Sequence, residues 1–446
     1  MKNRALLIFS LPAIVIAIPT IPIYLYLPTF YAIDLGLGLA STGLILLAMR
    51  IFDTLSDPLI GILSDRMGSN TNRRKPWIAI GSILAGVSLY KLLSPPLAVE
   101  TSYLLGWGVL LYTGWSMVAI PYTAWGAEIS KNYNERTRIT SWRETLGLLG
   151  IICVGVFFSL AANSGIQNDK IMSSLSLGTI LIGLIILPLL LLSIPDKGIY
   201  QRVTNKKTIR SLNLKILLSL NNALFLRLLF SWFLNGLANG LPAALFLIYL
   251  EHVLEISRAE QPIFILTYFL AAIAAIPVWL KLSQRVGKNK TWCFAMSVAC
   301  IAFIMVPAIS EGFVIFFAVI CLITGACLGA DLVLPPSIQA DVVDYDRLKF
   351  SIDRTGQQFA LWSMGTKFAL ALSVGLALPA VEWLGFDPLR PDMQGKFAIV
   401  MIYAVMPVVI KAIAIYTMWH FPLSRKKHEI VKQRLSKRNE ERRICT

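Results

Sequence analysis

The feature that most constrains this chain is a series of long, uninterrupted apolar runs. The run LIGLIILPLLLLSI, which begins at Leu181, contains no charged residue, and similar runs recur along most of the chain. In hydrocarbon only helices and closed barrels satisfy their own backbone hydrogen bonds, and a spanning helix needs about 20 apolar residues. Barrel strands would appear as short segments of alternating polarity. The runs therefore predict an all-α membrane protein.

Composition excludes the soluble classes of protein. Only 15% of the 446 residues are charged and 56% are hydrophobic, whereas a soluble domain carries about 25% charged residues. The net charge of +16 does not indicate nucleic acid, because the basic residues fall in the short breaks between apolar runs. The lipid bilayer is therefore the expected partner, and nucleic acid is not.

Polar breaks divide the chain into twelve predicted spans. Their bounds are 5–31, 39–63, 77–94, 101–127, 142–163, 174–194, 223–250, 260–282, 291–308, 312–340, 355–382 and 397–421. Because twelve is even, both termini should lie on the same side, and most of the 41 Lys and Arg residues fall on that side. The opposite loops hold only Lys91, Lys170, Arg258, Arg390 and Lys396. Since cytoplasmic loops are enriched in Lys and Arg, we expect a multi-pass protein of the inner or plasma membrane with both termini in the cytoplasm.

The longest predicted cytoplasmic connection divides the chain almost in half. It predicts an N-terminal six-helix bundle over 1–194, a basic linker over 195–222, a C-terminal six-helix bundle over 223–421 and a basic cytoplasmic tail over 422–446. Asp196, at the start of this linker, is expected on the surface.

The two halves share a short repeat. The segment PLIGILSDRMGSNTNRRKPW begins at Pro58, and PVWLKLSQRVGKNKTW begins at Pro277. Their matched residues are all 219 residues apart, which is close to half the length of the chain. Both segments bridge two predicted helices at the cytoplasmic face. A repeat of this kind indicates duplication. Two related six-helix bundles about an axis along the membrane normal are typical of transporters, with substrate bound midway between the halves.

Several motifs resemble one transporter family. The loop from Gly61 to Lys75, with Asp65 and Arg66, resembles the signature loop of the major facilitator superfamily. The segments RIFDTLSDPLIG from Arg50 and ADVVDYDRLKFSIDRTGQQFALWSMGTKFAL from Ala340 resemble melibiose permease, in the glycoside–pentoside–hexuronide cation symporter family. The resemblance implies the major facilitator fold, with twelve helices in two bundles related by pseudo-two-fold symmetry.

Charged residues inside predicted spans point to the working site independently of the family. A charge at a helix centre costs about 2.5–3.5 kcal/mol on insertion scales. Arg50, Asp53 and Asp57 have i, i+3 and i+7 spacing, so they share one face of the second span. The repeat offset places Ala272 and Ile276 where the first half has the two aspartates, as expected if the carboxylates serve function.

Two buried carboxylates one turn apart repel each other, and a bound proton or small cation relieves the repulsion. A purely structural ion-pair network with Arg50 and Lys367 is the alternative. The resemblance implies a cation site at Asp53, Ser56, Asp57 and Ser116, with Lys367 of the eleventh span nearby. Because Ser56 and Ser116 replace different residues of melibiose permease, the coupling ion could be either Na⁺ or H⁺. No other metal and no cofactor is expected.

The substrate side is less specific. The resemblance implies that Arg143 binds substrate, although this arginine could instead anchor its helix at the cytoplasmic face. Melibiose permease holds sugar hydroxyls with carboxylates on its first and fourth helices. The first and fourth spans of this chain lack those carboxylates, and Ala119 stands at one of the positions. Further candidates are polar, charged or aromatic residues near the expected cavity, and the aromatic ones are equally compatible with packing. The predicted substrate set is Arg50, Arg143, Tyr26, Trp125, Asp331, Trp362 and Ser363.

A third set is predicted to form cytoplasmic ion pairs that break as the two halves move. This gating set contains Asp65, Arg66, Arg285, Asp341, Asp344 and Arg354. The three aspartates Asp341, Asp344 and Asp346 are expected in the loop before the eleventh span.

The leading functional prediction is a cation-coupled secondary symporter of a small molecule that functions as a monomer, with a sugar or glycoside as substrate. A lysolipid or amphiphile transporter of the same fold is the alternative, and a channel or scramblase represents a different class. The sequence has no H-E-x-x-H, G-x-S-x-G or Walker A motif within a suitable context, so we do not expect an enzyme or an ATP-driven pump.

Overall fold

The computed structural model describes residues 3–66, 74–96, 98–129, 133–163, 168–196, 222–309, 313–350, 355–388, 390, 392–423, 427–431 and 433–435. The described residues are helical almost throughout and contain no strand. In chain order the helices are α1 (Asn3–Asp34), α2 (Leu39–Arg66), α3 (Lys75–Leu93), α4 (Thr101–Glu128), α5 (Tyr133–Asn163), α6 (Asn168–Ser193), α7 (Ala223–His252), α8 (Gln261–Val286), α9 (Lys288–Met305), α10 (Val314–Phe350), α11 (Thr355–Trp383) and α12 (Met393–Trp419).

All twelve helices are long and apolar enough to cross a bilayer, which confirms the predicted all-α membrane fold. Two helices extend well beyond their predicted spans. α5 begins at Tyr133 and not at residue 142, and α10 extends at its other end. The apolar pattern of the tenth span ends near residue 340, but α10 continues to Phe350.

Asp341, Asp344 and Asp346 therefore lie on a helix and not in a loop. The helix can continue with these polar residues because they find partners elsewhere in the chain: Asp341 pairs with Lys288, and Asp346, which is 1% exposed, accepts a hydrogen bond from Asn222.

Proline interrupts the regular turns of α1. The helix contains two π-helical segments, Pro22–Tyr26 and Phe30–Asp34, with α-helical segments around them. Because proline lacks an N–H group and its ring crowds the preceding turn, the chain widens locally, as π-turns do. α12 contains one further π-helical segment, Met401–Val405.

Contacts divide the chain into two compact units. Unit 1 contains Met1–Arg202, Ala243–Leu266 and Val374–Ile399, and unit 2 contains Val203–Pro242, Thr267–Ser373 and Val400–Thr446. Unit 1 thus includes the ends of α7 and α11 and the starts of α8 and α12 together with α1–α6. The predicted bundle boundaries stay a prediction, and most of the predicted linker lies outside the described residues.

Each unit has an aromatic core and a close helix crossing. Phe9, Tyr122 and Trp125 belong to the buried core of unit 1, whereas Trp279, Trp292 and Trp362 belong to that of unit 2. In unit 1 a Cβ on Gly108 of α4 would collide with Met49 of α2, and in unit 2 one on Gly325 of α10 would collide with Tyr268 of α8. The repeat offset maps Met49 to Tyr268, but it maps Gly108 to Cys327 and not to Gly325, so the two crossings share one partner position.

Candidate functional site

α2 brings the two predicted carboxylates to the α4 side of unit 1. Asp53 is 3% exposed and Asp57 is half-buried. The α2–α4 crossing allows Ser116 of α4 to reach both of them. The Ser116 hydroxyl oxygen lies 2.6 Å from Asp57 Oδ1 and 3.1 Å from Asp53 Oδ1. Three oxygen-bearing side chains of the predicted cation site therefore converge, and their binding of a cation stays a prediction.

The geometry of this trio makes it sensitive to one proton or cation. A hydroxyl carries one hydrogen, so Ser116 can donate to only one of the two carboxylates. Its second contact is favourable when the other carboxyl is protonated and donates to Ser116, or when a cation bridges the oxygens. Small hard cations prefer such oxygen ligands. Among the described residues no group of three or more His, Cys, Asp or Glu side chains could hold a metal ion.

Arg50 provides the positive charge nearest to Asp53 along α2. Its Nη1 lies 4.0 Å from Asp53 Oδ2, and the arginine is largely buried. The guanidinium carbon lies 3.9 Å from the ring centre of Tyr24 and 4.5 Å from that of Tyr112. Cation–π contacts of this kind stabilise a buried arginine, and they fix its position beside the carboxylates.

Ser56 is half-buried and bonds to its own helix in this structure. Its hydroxyl donates to the backbone oxygen of Asp53, at 3.1 Å. A hydroxyl that is already bonded to its own helix must rotate before it can bind a cation. Its predicted place in the cation site stays a prediction.

Arg143 lines a cavity of about 280 Å³ in unit 1, together with Thr123, Glu144 and Ala119. Its Nη2 donates to the Thr123 hydroxyl at 3.2 Å, and its guanidinium carbon lies 4.8 Å from the ring centre of Tyr122. Among the described residues, no acceptor lies within hydrogen-bonding distance of the buried Arg143 Nε. Glu144 is a carboxylate in this cavity that the sequence predictions missed, although its position directly after Arg143 is a signal that could have identified it.

The other predicted substrate residues of unit 1 are packed. Tyr26 is 8% exposed and stacks on Phe158, with ring centres 4.2 Å apart. Trp125 is 2% exposed and meets Phe9 edge to face. These two residues therefore stabilise the bundle in this structure, and a contact with substrate stays a prediction.

Unit 2 holds Asp331, Trp362, Ser363 and Lys367. Asp331, which is 7% exposed, accepts hydrogen bonds from Trp292 Nε1 at 2.7 Å and Asn239 Nδ2 at 2.9 Å. Trp362 stacks on Trp232 with ring centres 4.8 Å apart. Ser363 is exposed and Lys367 is half-buried on α11. The expected proximity of Lys367 to Asp53 and Asp57 stays a prediction.

A buried lysine in α12 was missed from the sequence. Lys411 is 2% exposed, and its Nζ donates to Asn235 Oδ1 of α7 at 2.6 Å. The sequence could have identified it, because a lysine inside an apolar run is as costly as the intramembrane charges of Arg50, Asp53 and Asp57.

Ion pairs join helix ends on the predicted outer side of unit 1. Arg258 Nη2 lies 2.8 Å from Asp34 Oδ1 of α1 and 2.9 Å from Glu251 Oε1 of α7. Burial lowers the pKa of Arg258, but hydrogen bonds and the charges of Asp34 and Glu251 outweigh it, so the net shift is upward. Lys396 of α12 pairs with Glu255 at 3.0 Å. All these helix ends lie on the same side in the predicted topology.

On the predicted cytoplasmic side, the described residues of unit 2 form ion pairs. Lys288 Nζ lies 2.6 Å from Asp341 Oδ2, and His428 of the helical segment 427–431 lies 3.5 Å from Asp341 and 3.1 Å from Asp344. Arg285 is exposed. The side chains of Asp65 and Arg66, and all of Arg354, lie outside the described residues, so their gating roles stay predictions.

Comparison with known proteins decides the family. The model of the MFS/sugar transport protein family matches residues 8–425. The chain belongs to this family. It is therefore a transmembrane transporter of the major facilitator superfamily, and the resemblance found in the sequence motifs is confirmed.

Its relatives in this family are symporters. A sodium-dependent lysophosphatidylcholine symporter 1 from Xenopus tropicalis is 24% identical over 92% of this chain and 83% of its own length. An uncharacterized symporter from Synechocystis sp. is 23% identical over 94% of each chain. These proteins are transporters and not enzymes.

Solved structures agree on the fold. The nucleoside transporter NupG superposes with a TM-score of 0.66 at 14% identity, over 93% of this chain and 100% of its own. A D-xylose–proton symporter superposes with a TM-score of 0.65 at 14% identity, over 95% of this chain and 98% of its own. At such identity the similarity establishes the major facilitator fold of this chain.

Proposed function

We propose that this transporter is a symporter that couples the movement of an organic solute to the downhill movement of Na⁺ or H⁺ by alternating access. The observation that carries the proposal is the position of Ser116 between the carboxylates of Asp53 and Asp57. A proton or a cation at this point binds oxygen ligands from two helices at once. The family and its symporter relatives support the same mechanism.

Coupling follows from charge repulsion between the two carboxylates. In a low-dielectric site, two adjacent carboxylates cannot both ionise without cost. Binding a cation or proton removes this cost and stabilises the arrangement of α2 and α4 that accepts substrate. By linkage, substrate raises the affinity for the ion by the same factor. Arg50 holds Asp53 in place during this cycle, because its guanidinium is fixed between Tyr24 and Tyr112.

Two substrate classes have support. A sugar or glycoside is favoured by the family description, and Glu144 beside Arg143 offers a charged pair for sugar hydroxyls. A lysophospholipid is favoured by the names of several relatives, which are lysophosphatidylcholine symporters. Both would use Arg143 as the residue that holds the polar part of the substrate.

The predicted topology belongs to the same proposal. The basic residues between the spans favour an inner or plasma membrane location with both termini in the cytoplasm. The Arg258–Asp34 and Lys396–Glu255 pairs then hold outer helix ends together, whereas Lys288–Asp341 lies on the cytoplasmic side.

The test is uptake into proteoliposomes with an imposed Na⁺ or proton gradient. Radiolabelled melibiose and radiolabelled 1-oleoyl-lysophosphatidylcholine are tested separately. The proposal predicts accumulation of one probe above its equilibrium level when the correct gradient is present. Equal movement of both probes with and without either gradient would show a channel or scramblase instead.

A further inference from the structure

A short helical segment after α12, residues 427–431, packs against the rest of unit 2. Its His428 and Val431 are buried, whereas its other three residues are exposed. Because the two buried residues have i, i+3 spacing, they share one face of the helical turn. This face therefore holds the segment in place, with one apolar residue and one residue that can change its charge.

Both ring nitrogens of His428 face a carboxylate of α10. Nδ1 lies 3.5 Å from Asp341 Oδ1, and Nε2 lies 3.1 Å from Asp344 Oδ2. Asp341 and Asp344 have i, i+3 spacing, so they project from one face of α10. The imidazole is therefore held between two carboxylates that lie one turn apart.

This arrangement fits the protonated ring and not the neutral one. A protonated imidazole donates from both nitrogens, whereas a neutral one has a single N–H group and a lone pair on the other nitrogen. In the neutral form, one nitrogen lone pair would face a carboxylate oxygen with no proton between them. Histidine changes its charge near neutral pH, so the proton that completes both contacts can bind and leave under physiological conditions.

The charged groups around the ring are mostly acidic. Asp341 uses its second oxygen to bind Lys288 Nζ of α9 at 2.6 Å, whereas among the described residues Asp344 pairs with His428 alone. Glu429, the neighbour of His428 in the chain, lines the same cavity as Lys288 and Asp341. A proton on His428 therefore reduces the repulsion among the carboxylates that the segment and α10 bring together.

The docked segment also forms part of the wall of this cavity, which has a volume of about 240 Å³. The ends of α8 and α12 and the start of α9 supply other lining residues, among them the uncharged Ser283 and Gln284 of α8 and Leu423 after α12. Release of the segment would remove His428 from the wall. The state of one imidazole thus decides whether this cavity is closed on the side of the segment.

We infer that His428 is a proton-binding site that controls the docking of segment 427–431 on unit 2. When the ring is protonated, it pairs with both carboxylates and the segment is held. As the pH rises through the range in which the ring loses its proton to the surrounding water, one contact is lost and docking weakens. The site senses pH on the predicted cytoplasmic side and is separate from Asp53 and Asp57, so the inference does not rest on ion coupling.

Three substitutions separate the charge of the imidazole from its other properties. His428→Gln keeps a polar side chain that stays neutral at every pH. His428→Arg carries a permanent charge, and its planar fork of N–H groups can bind carboxylates on two sides. His420→Gln is the matched control, because His420 is an exposed histidine directly after α12.

The experiment is amide hydrogen exchange of the full-length protein in phosphatidylcholine nanodiscs, at one pH below and one pH above the range in which histidine titrates. Each exchange rate is divided by the intrinsic rate of the same peptide at the same pH, since amide exchange itself depends on pH. The resulting protection of peptides that contain residues 427–431 reports docking. The protection of α9 reports whether unit 2 stays folded.

We expect the protection of this segment in the wild type to fall about fivefold from the lower to the higher pH, as the loss of one ion pair implies. His420→Gln should show the same fall. His428→Arg should stay protected at both pH values and His428→Gln should be poorly protected at both, with the protection of α9 unchanged.

Wild-type protection that does not change with pH would overturn the inference. The same fall with pH in His428→Gln or in His428→Arg would also overturn it, because another group would then be the one that titrates. Full protection of His428→Gln at both pH values would show that the apolar contact of Val431 is sufficient to hold the segment, and it would overturn the inference too.

Discussion

Asp57 of α2 and Ser116 of α4 are joined by a hydrogen bond of 2.6 Å between residues far apart in sequence. The same hydroxyl oxygen lies 3.1 Å from Asp53. One serine thus connects both carboxylates of the proposed coupling site across a helix crossing. We therefore expect a change in protonation or cation binding at α2 to be transmitted to α4, which also carries Trp115 at the wall of the Arg143 cavity.

Removal of this hydroxyl should weaken coupling. In Ser116→Ala the two carboxylates lose their shared partner, a loss of about 1–3 kcal/mol when the group is buried. We expect a lower affinity for the coupling ion, measured as a higher ion concentration for half-maximal uptake, and recovery in Ser116→Thr. Ser176→Ala is the control, since Ser176 bonds only to the backbone of its own helix at Ser173. An unchanged ion dependence in Ser116→Ala would exclude a direct role.

The outer ion pairs should restrict access to the end of α1. Arg258→Ala removes the partner of both Asp34 and Glu251, although each exposed pair is worth only about 1 kcal/mol or less. Met172 lines a separate cavity together with Asp34, Glu251 and Arg258. A cysteine at position 172 should react faster with a membrane-impermeant thiol reagent in Arg258→Ala than in the wild type. Lys170→Ala is the matched control on the same side. Equal labelling rates in both backgrounds would show that the outer pairs do not control access.

The ion pairs of His428 should hold the segment 427–431 on α10. Asp341 and Asp344 both lie within 3.5 Å of the His428 ring nitrogens. Asp341→Asn and His428→Ala should therefore each accelerate amide hydrogen exchange in this segment. Lys290→Gln, an exposed change on the neighbouring α9, serves as the control. If exchange in Asp341→Asn equals that of the wild type, apolar packing rather than charge holds the segment.

Asp331 should be required as an acceptor for two donors. Trp292 and Asn239 each donate to one of its oxygens, whereas an asparagine at this position would offer one acceptor and turn an N–H group toward the other donor. We expect Asp331→Asn to lose about 1–3 kcal/mol, measured as a lower melting temperature in detergent. Glu260→Gln, on the outer loop, should have no comparable effect. A wild-type melting temperature in Asp331→Asn would mean that these two hydrogen bonds do not contribute measurably to stability.

The fold could be predicted from the sequence because the bilayer imposes two strong constraints. The length of each apolar run defines a spanning helix, and the distribution of basic residues between the two sides of the membrane tests the number of helices. The shared face of Asp53 and Asp57 also follows from the sequence, since intramembrane carboxylates are costly and their spacing places them on one side of α2, whereas Ser116 was expected beside them only from the family resemblance. Helix ends are less determined, as the continuation of α10 to Phe350 shows.

Partners across helices could not be predicted in the same way. Asp196 was expected on the surface, but it is 5% exposed and accepts a hydrogen bond from the Arg74 backbone at 2.8 Å, where it stabilises the start of α3. The Asp34–Arg258 pair joins residues that lie far apart in the chain. Such contacts depend on packing angles, which a single sequence does not encode in any local pattern. The cavity around Arg143 depends on the same angles.

The coupling account is tested most directly by the double variant Asp53→Asn/Asp57→Asn. The two changes preserve size and remove both charges from the site, so a cation or proton has no repulsion to relieve. The control is Glu100→Gln, an exposed carboxylate before α4.

The decisive measurement is accumulation of substrate in proteoliposomes with an imposed Na⁺ or proton gradient, using whichever probe the wild type accumulates. The account predicts that the wild type and Glu100→Gln concentrate the probe, whereas the double variant only equilibrates it. Accumulation by the double variant against the substrate gradient, at the wild-type level, would contradict coupling through Asp53, Asp57 and Ser116.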